Sequence, residues 1–463
     1  MANVRLPIAP GGGMESAALP ADGRRAAIQP ADVRGRFQRA RVVAFGALIA
    51  AWAALPWVRI GGHPAVFVDL DVHALYLFGA TFNAQDTWLL FFLLTGVGFG
   101  LVYATALAGR VWCGWACPQT VFLEGVYRRI ERWIEGPRER RLRRNAGPWT
   151  PEKAARKTAT HALYVFASAI VAHIFLSYFV SIPKTLQMVR HSPAAHPDAF
   201  VWVIAVTGVF YLNFAWFREQ LCVVLCPYGR LQSSLLDEHS LVVGYDATRG
   251  EPRGKKGTAG AGDCVDCKRC VVVCPTGIDI RNGLQMECLA CTQCIDACDD
   301  IMNRLGRARG LIRFDSPDGL LGRPRRLLRP RVVLYTGLLV LGAAVAFFAT
   351  RQRADFEVTL LRLAGEPYSI EGGEVRNALQ LHLVNKRATP ETYRLQVLPV
   401  DGVTVVLPMP SVAIAPMADA RVPLFLSVPR DTFRAEFPVR VRVVRTADER
   451  DARAVTGTFL GPR

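Results

Sequence analysis

Acidic residues are scarce in this 463-residue chain: 39 Asp and Glu stand against 56 Lys and Arg, a formal net charge of +17. Such an excess can mark a nucleic-acid binder, yet no zinc finger and no RNA-binding aromatic motif accompanies it. The cations crowd instead beside apolar segments, as in 128–157 and 323–331. The preference of Lys and Arg for the cytoplasmic ends of membrane helices explains them, so nucleic acid is set aside as a partner and a lipid bilayer takes its place. The first apolar stretch lacks a small-residue cleavage site and begins only near residue 40, so it reads as an anchor that stays. Cysteine is confined as well: none of the 12 precedes Cys113 or follows Cys298.

Five stretches, roughly 40–58, 87–108, 160–182, 199–217 and 331–350, suit a membrane crossing, which takes about 17–25 mostly apolar residues. Residues 1–41 hold seven Arg against three acids, and 109–159 hold twelve Lys and Arg against five; the intervening 59–86 has one Arg and three Asp. By that count the N-terminus, 109–159 and 218–330 are cytoplasmic, and five crossings leave the C-terminus outside. The expected organisation is a disordered cytoplasmic tail (1–38), four membrane helices (39–245), a cytoplasmic cysteine-rich domain (246–330), a fifth helix (331–350) and an outer domain (351–463). A basic, Gly-rich linker, 246–262, leads into the cysteine-rich block.

Beyond the last span the apolar pattern shortens to a period near two. FEVTLLRL, NALQLHLVNK, ETYRLQVLPV, VTVVLP, ARVPLFLSV and FPVRVRVVRT are β-rich runs separated by Gly, Pro, Asp or Asn. About seven such runs in this length suggest an immunoglobulin-like β-sandwich. It has no cysteine, so the disulfide of antibody domains is excluded.

Eight cysteines fall in one block on the side expected to be cytoplasmic, where thiols stay reduced. They read Cys264, Cys267, Cys270, Cys274 and then Cys288, Cys291, Cys294, Cys298, which is C-x₂-C-x₂-C-x₃-C twice. This is the spacing of two-cluster bacterial ferredoxins, in which the fourth Cys of each run ligates the other cluster. Cys264, Cys267, Cys270 and Cys298 are thus expected on one [4Fe–4S] cluster, and Cys288, Cys291, Cys294 and Cys274 on a second. Zinc, the rival for Cys-x₂-Cys pairs, does not account for two complete four-ligand runs. Pro275 follows the first run, whereas Asp299 follows the second, a departure that leaves the ligands intact. Lys268 and Arg269 beside the first cluster can tune it, dock an acidic donor or simply face solvent.

The other four cysteines form a degenerate repeat. Segments 87–118 and 199–227 each run from an apolar helix through an Arg (Arg110, Arg218) to Cys-x-x-x-Cys-Pro, giving Cys113/Cys117 and Cys222/Cys226. At i and i+4 of a helix two thiols share a face, near enough for one soft metal ion or, after adjustment, a disulfide. Pro118 and Pro227 suit a helix that ends or kinks there, and Arg110, Arg218 and Arg230 favour thiolate. Thiolate selects Cu(I) among soft metals, so copper is the natural occupant; four thiolates can also hold a third cluster. His161 and His173 lie on one helix face, but no partner pair completes a haem site. Trp112, Trp115, Trp216, Tyr211 and Tyr228 read as an interfacial aromatic belt.

These features together resemble the FixG/CcoG/RdxA-type cytochrome c oxidase accessory proteins, membrane polyferredoxins of bacteria. The resemblance rests on both Cys-x₃-Cys-Pro sites, the double motif at 264–298, the five-span layout and the β-rich C-terminus. NapH-like and NosR-like quinol-linked ferredoxins share the central part. The resemblance implies an inner-membrane protein that assists assembly of a cbb-type cytochrome oxidase by reducing Cu(II) to Cu(I). It also implies oxidase subunits or copper chaperones as partners, and a cytoplasmic electron donor. Cys113, Cys117, Cys222 and Cys226 would then be the copper-handling thiols. A quinol-linked respiratory subunit and a non-enzymatic assembly scaffold are the alternatives.

Overall fold

The computed structural model describes residues 28–70, 73–82, 86–351, 354–363, 365–387 and 389–462. Two compact units emerge, one through Ala344 and one from Val345.

Among the described residues four helices are long and apolar enough to cross a membrane: Trp88–Ala108, Pro151–Leu176, Pro197–Phe217 and Pro330–Arg351. Their apolar side chains are largely unburied by protein, so a lipid phase takes the place of a core around them. The first expected span forms a helix, Arg36–Ala54, but it is not among these four. Its opening turns carry Arg36, Arg39 and Arg41, and Arg41 is 1 % exposed because its Nε donates to the Gly114 carbonyl at 3.1 Å. A helix with three cations in its first six residues, one of them buried, has less apolar length than its span suggests.

Residues 59–82, read from sequence only as a connection, form a hairpin (Arg59–Ile60 with His63–Pro64) and a three-stranded sheet (Val66–Asp69, Ala74–Leu77, Ala80–Phe82). The sheet docks on the far end of the Pro151–Leu176 helix, where the Val68 amide donates to the Tyr178 carbonyl at 2.8 Å.

The cysteine-rich block is bracketed by two antiparallel strands, Val242–Tyr245 and Ile312–Asp315. Val243, Ile278, Ile280, Ile295, Met302 and Ile312 close its core around the thiols. Of the expected tail, residues 1–27 lie outside the described residues, while 28–38 are held rather than loose. The Ala31 amide donates to the Val272 carbonyl at 3.0 Å, and Ala31 packs with Val273 and Ala297. The amides of Phe37 and Gln38 donate to the Asp296 carboxylate at 3.3 and 2.7 Å.

The second unit is a sandwich of two antiparallel sheets. One orders Thr404–Val406, Asp419–Pro429, Glu374–Asn385 and Phe356–Arg362, with Ser369–Glu371 also pairing to Glu374–Asn385; the other orders Ser411–Ile414, Glu391–Val397, Phe437–Arg445 and Asp448–Phe459. Alternate residues point inward, so Leu379, Leu381, Leu383, Leu424 and Leu426 meet Leu395, Val439, Val441 and Val443. The three strands absent from the expected set, Ser369–Glu371, Ser411–Ile414 and Asp448–Phe459, lack a clear apolar alternation. The last of them buries only Phe459 fully.

Candidate functional site

The two ferredoxin runs wrap alike. Asp266 and Lys268 in the first, and Ala290 and Thr292 in the second, all adopt positive φ, at 49°, 54°, 50° and 62°. A left-handed backbone at a residue with a side chain costs roughly 1–3 kcal/mol. Its recurrence at matched positions between ligands is how each loop turns tightly enough to present three sulfurs to one centre. Cys270 and Cys294 follow on short and long helices, Arg269–Val272 and Gln293–Leu305.

The chain brings the eight thiols to two small cavities. Cys264, Cys267, Cys270 and Cys298 line one; Cys274, Cys288, Cys291 and Cys294 line the other, which Cys270 also touches. The fourth cysteine of each run thus sits with the first three of the other run, in the expected crossover. No carboxylate lines either cavity, and Lys268, Arg269 and Arg281 line the first. Four thiolates, apolar walls and neighbouring cations fit an iron–sulfur cluster, whose thiolate cage carries negative charge. Burial pushes the free thiols up, Cys270, Cys291 and Cys298 to about 12 and Cys288 to about 11. Metal loading therefore displaces protons from these sulfurs.

Several details differ from expectation. Asp299 does not disturb the second run: its Oδ1 accepts from the Gly310 amide at 3.0 Å while the helix continues past Cys298. Arg269 is engaged, donating to the Asp32 carbonyl at 2.7 Å. Sequence reasoning overlooked Arg281, which is buried, bonds Asp266 and Asp279 at 2.6 Å each, and lines the first cavity. Its only sequence signal was a cation two residues after Asp279, between the two cysteine runs.

The membrane-edge cysteines sit on a duplicated backbone, but in a register shifted by one from the Arg-based alignment. Gly109 (φ 60°, ψ −135°) and Arg218 (φ 53°, ψ −123°) are the equivalent turns, each four residues before a Cys. Arg110 therefore corresponds to Glu219. The amides of Cys117 and Cys226 both donate to the carbonyl five residues back, Trp112 and Leu221, at 2.8 Å. Cys117 and Cys226 then cap new helices, Pro118–Phe122 and Pro227–Leu235, with proline at the first position. The prolines begin helices rather than ending one, as a residue with fixed φ and no amide hydrogen should. Each Cys pair thus straddles a helix break.

Cys113 and Cys117 are nevertheless gathered with Cys222 and Cys226, each thiol lying within electrostatic reach of others across the repeat. Burial pushes Cys113 to about 11 and outweighs Arg110; burial and then the other three thiols push Cys222 to about 12. Arg218 serves elsewhere, bonding Glu131 at 2.7 and 3.3 Å. The side chain of Arg230 lies outside the described residues. Among the described residues no three His, Cys, Asp or Glu side chains close on a single ion.

Arg110 joins this thiol group to the second cluster loop. Its guanidinium donates to the Cys288 carbonyl at 3.1 Å, to Gln232 Oε1 at 2.5 Å, and to the carbonyls of Met286 and Gly229. Gln232 Oε1 also accepts from the Cys113 thiol at 3.4 Å. Between Cys113 and Cys117, Gly114 presses so closely on this loop that a Cβ would lie 2.5 Å from the Leu289 oxygen and 2.8 Å from the Ala290 oxygen. The four thiols and the second cavity thus share walls. Gln232 and Arg41, both buried, had no motif to announce them.

Of the two weighed histidines, His161 Nδ1 pairs with the Tyr211 hydroxyl at 3.0 Å on the neighbouring helix, and His173 with a carbonyl of its own helix. They do not converge.

Known proteins agree with this construction. Residues 89–140 match the family described as a 4Fe-4S binding domain, 217–317 the 4Fe-4S dicluster domain, and 346–462 the IG-like fold at the C-terminus of FixG. The chain is 36 % identical over 397 residues to protein RdxA of Cereibacter sphaeroides, covering 81 % of this chain and 82 % of that one. It is 34 % identical over 418 residues to nitrogen fixation protein FixG of Rhizobium meliloti, covering 81 % and 79 %. Protein RdxB of Cereibacter sphaeroides matches at 34 % over 398 residues, covering 81 % and 82 %. With relatives this similar along most of both chains, two cluster cavities and a FixG-type C-terminal fold, the protein belongs to the FixG/RdxA family of membrane iron–sulfur proteins.

Proposed function

We propose that this protein carries electrons to copper in the assembly of a cbb-type cytochrome oxidase, reducing Cu(II) to Cu(I) at Cys113, Cys117, Cys222 and Cys226. The observation that carries the reading is the shared wall between the four thiols and the second cluster loop, made by Arg110 and Gly114. When bound, two [4Fe–4S] clusters supply one-electron carriers in series. Cys267 is the one exposed cysteine of the eight, which favours electron entry on the side of Cys264, Cys267, Cys270 and Cys298. Exit then runs on the side of Cys274, Cys288, Cys291 and Cys294. Each Cu(II) takes one electron, which a reduced flavin or ferredoxin-type donor replaces.

In purified, anaerobically reduced protein, replacing the four membrane-edge cysteines by Ser should abolish Cu(I) formation, read with a Cu(I) chelator, and leave visible cluster absorbance intact. Undiminished Cu(I) formation rejects the reading. Iron counts discriminate further: about eight per chain fits two clusters, and about twelve would put a third on the four thiols.

A second reading, quinol-linked electron transfer, draws support from a mostly apolar cavity of about 60 Å³ lined by Arg110, Leu236, Leu284, Met286 and Cys288. Cluster reduction by a soluble quinol analogue would favour it. For topology we propose that the Arg36–Ala54 helix also crosses, which places the N-terminus in the cytoplasm and the C-terminal domain in the periplasm.

A further inference from the structure

The thiols sit just beyond the C-terminal end of the Pro197–Phe217 helix. At its other end, about 30 Å away at 1.5 Å per residue, lies a cavity of about 250 Å³. His173, Met188, His191 and His196 line it, brought together by the end of the Pro151–Leu176 helix, the Ile182–Arg190 helix and the turn that follows. Five of the chain's eight histidines lie outside this segment, and nothing in the cluster chemistry uses the three inside it.

Two of these rings are held in one tautomer. His173 Nδ1 is 2.7 Å from the Ala169 carbonyl, and His191 Nδ1 is 2.7 Å from the Gln187 carbonyl. A carbonyl only accepts, so each Nδ1 carries the hydrogen and the neutral ring keeps its lone pair on Nε2. A backbone carbonyl bonded to one ring nitrogen is how metal-binding histidines are oriented. The rings of His191 and His196 are 6.3 Å apart and nearly perpendicular, at 87°. Imidazoles sharing a metal through nitrogens at about 2.0 Å have centroids roughly 5–6.5 Å apart. The rings do not close on one point; with His173 and His191 held by their carbonyl bonds, the half-buried His196 is the ring that turns to complete the set.

No carboxylate lines the cavity, which disfavours hard cations. Imidazole suits zinc, copper and nickel, and a thioether adds a preference for Cu(I). We propose that His173, His191 and His196, with Met188, form a copper-binding site at the end of the helix bundle opposite the thiols. The site does not depend on what the four cysteines do.

The test uses full-length protein without a polyhistidine tag, its clusters oxidised, titrated with Cu(II) alone and followed by electron paramagnetic resonance. Nitrogen-coupled copper is expected at one ion per chain. Joint His191→Ala and His196→Ala substitution should remove that signal and weaken copper binding by tenfold or more, with cluster absorbance unchanged. Cys113→Ser with Cys222→Ser should leave it in place. Met188→Leu should weaken Cu(I) binding more than Cu(II) binding. A wild-type signal without nitrogen coupling, or one that survives the histidine substitutions, overturns the proposal; so does displacement of the copper by equimolar zinc.

Discussion

Glu131 shows how single residues hold the membrane-edge region together. It bonds Arg218 at 2.7 Å and Arg141 at 2.8 Å, and all three are nearly buried. Burial alone would raise its pKa, but Arg218 and then Arg141 hold it at about 2. A carboxylate lowered in the folded state contributes stability that is fully present above its unfolded pKa near 4.5 and is lost as pH falls toward 2. Glu131→Gln should leave both cations without their charge partner and cost about 3–5 kcal/mol, seen as a lower thermal midpoint in detergent. It should also flatten the acid limb between pH 4.5 and 2, and an unchanged limb would refute the assignment. Gly114→Ala tests the neighbouring contact. Its Cβ has no space against Leu289 and Ala290, so the second cluster loop must move. The expected result is loss of about half the iron, read by iron and sulfide counts, with the fold otherwise retained.

Residues of this kind also mark the limit of what the sequence discloses. The eight cluster cysteines announce themselves because cluster geometry imposes a fixed spacing on the chain. Gln232 and Arg110 matter through partners that lie far along the chain, as Arg110 and Cys288 do across 178 positions. No local pattern encodes such a distance.

At the scale of elements, strands with one buried face were legible because alternation records burial directly. Glu374–Asn385 alternates along its length. Asp448–Phe459 escaped notice because only Val455 and Phe459 reach the core and its place is fixed by pairing with Phe437–Arg445. The sandwich has its own core, so residues 354–462 produced alone should fold and unfold cooperatively. Leu381, fully buried at its centre, should cost about 2–5 kcal/mol when cut to Ala, measured by denaturant unfolding. The helix breaks after residues 108 and 217 were legible only as Cys-x₃-Cys-Pro. Gly109 and Arg218 had to be seen in the same backbone conformation before the true register of the repeat emerged.

For the whole molecule, the parity of crossings decides where the C-terminus lies. Hydropathy suggested five spans, while four described helices qualify by length and apolarity. The Arg36–Ala54 helix is the ambiguous element because its cations are spent on protein contacts, Arg41 on Gly114 among them. A reporter active only outside the cytoplasm, fused to the C-terminus, should be active if this helix crosses. Activity only from a cytoplasmic reporter at that position would mean four crossings.

The hold of residues 28–38 on the cysteine-rich block sets an order on biogenesis. Phe37 and Gln38 bond Asp296, some 259 positions later. At 5–20 residues per second, a ribosome reaches Asp296 about 13–50 s after Phe37. For that interval the beginning of the chain has no seat, and the cysteines from 264 to 298 emerge into an open fold. Docking of residues 28–38 can thus act as the final latch, closing over Val272 and Ala297 once the last ligand has been made.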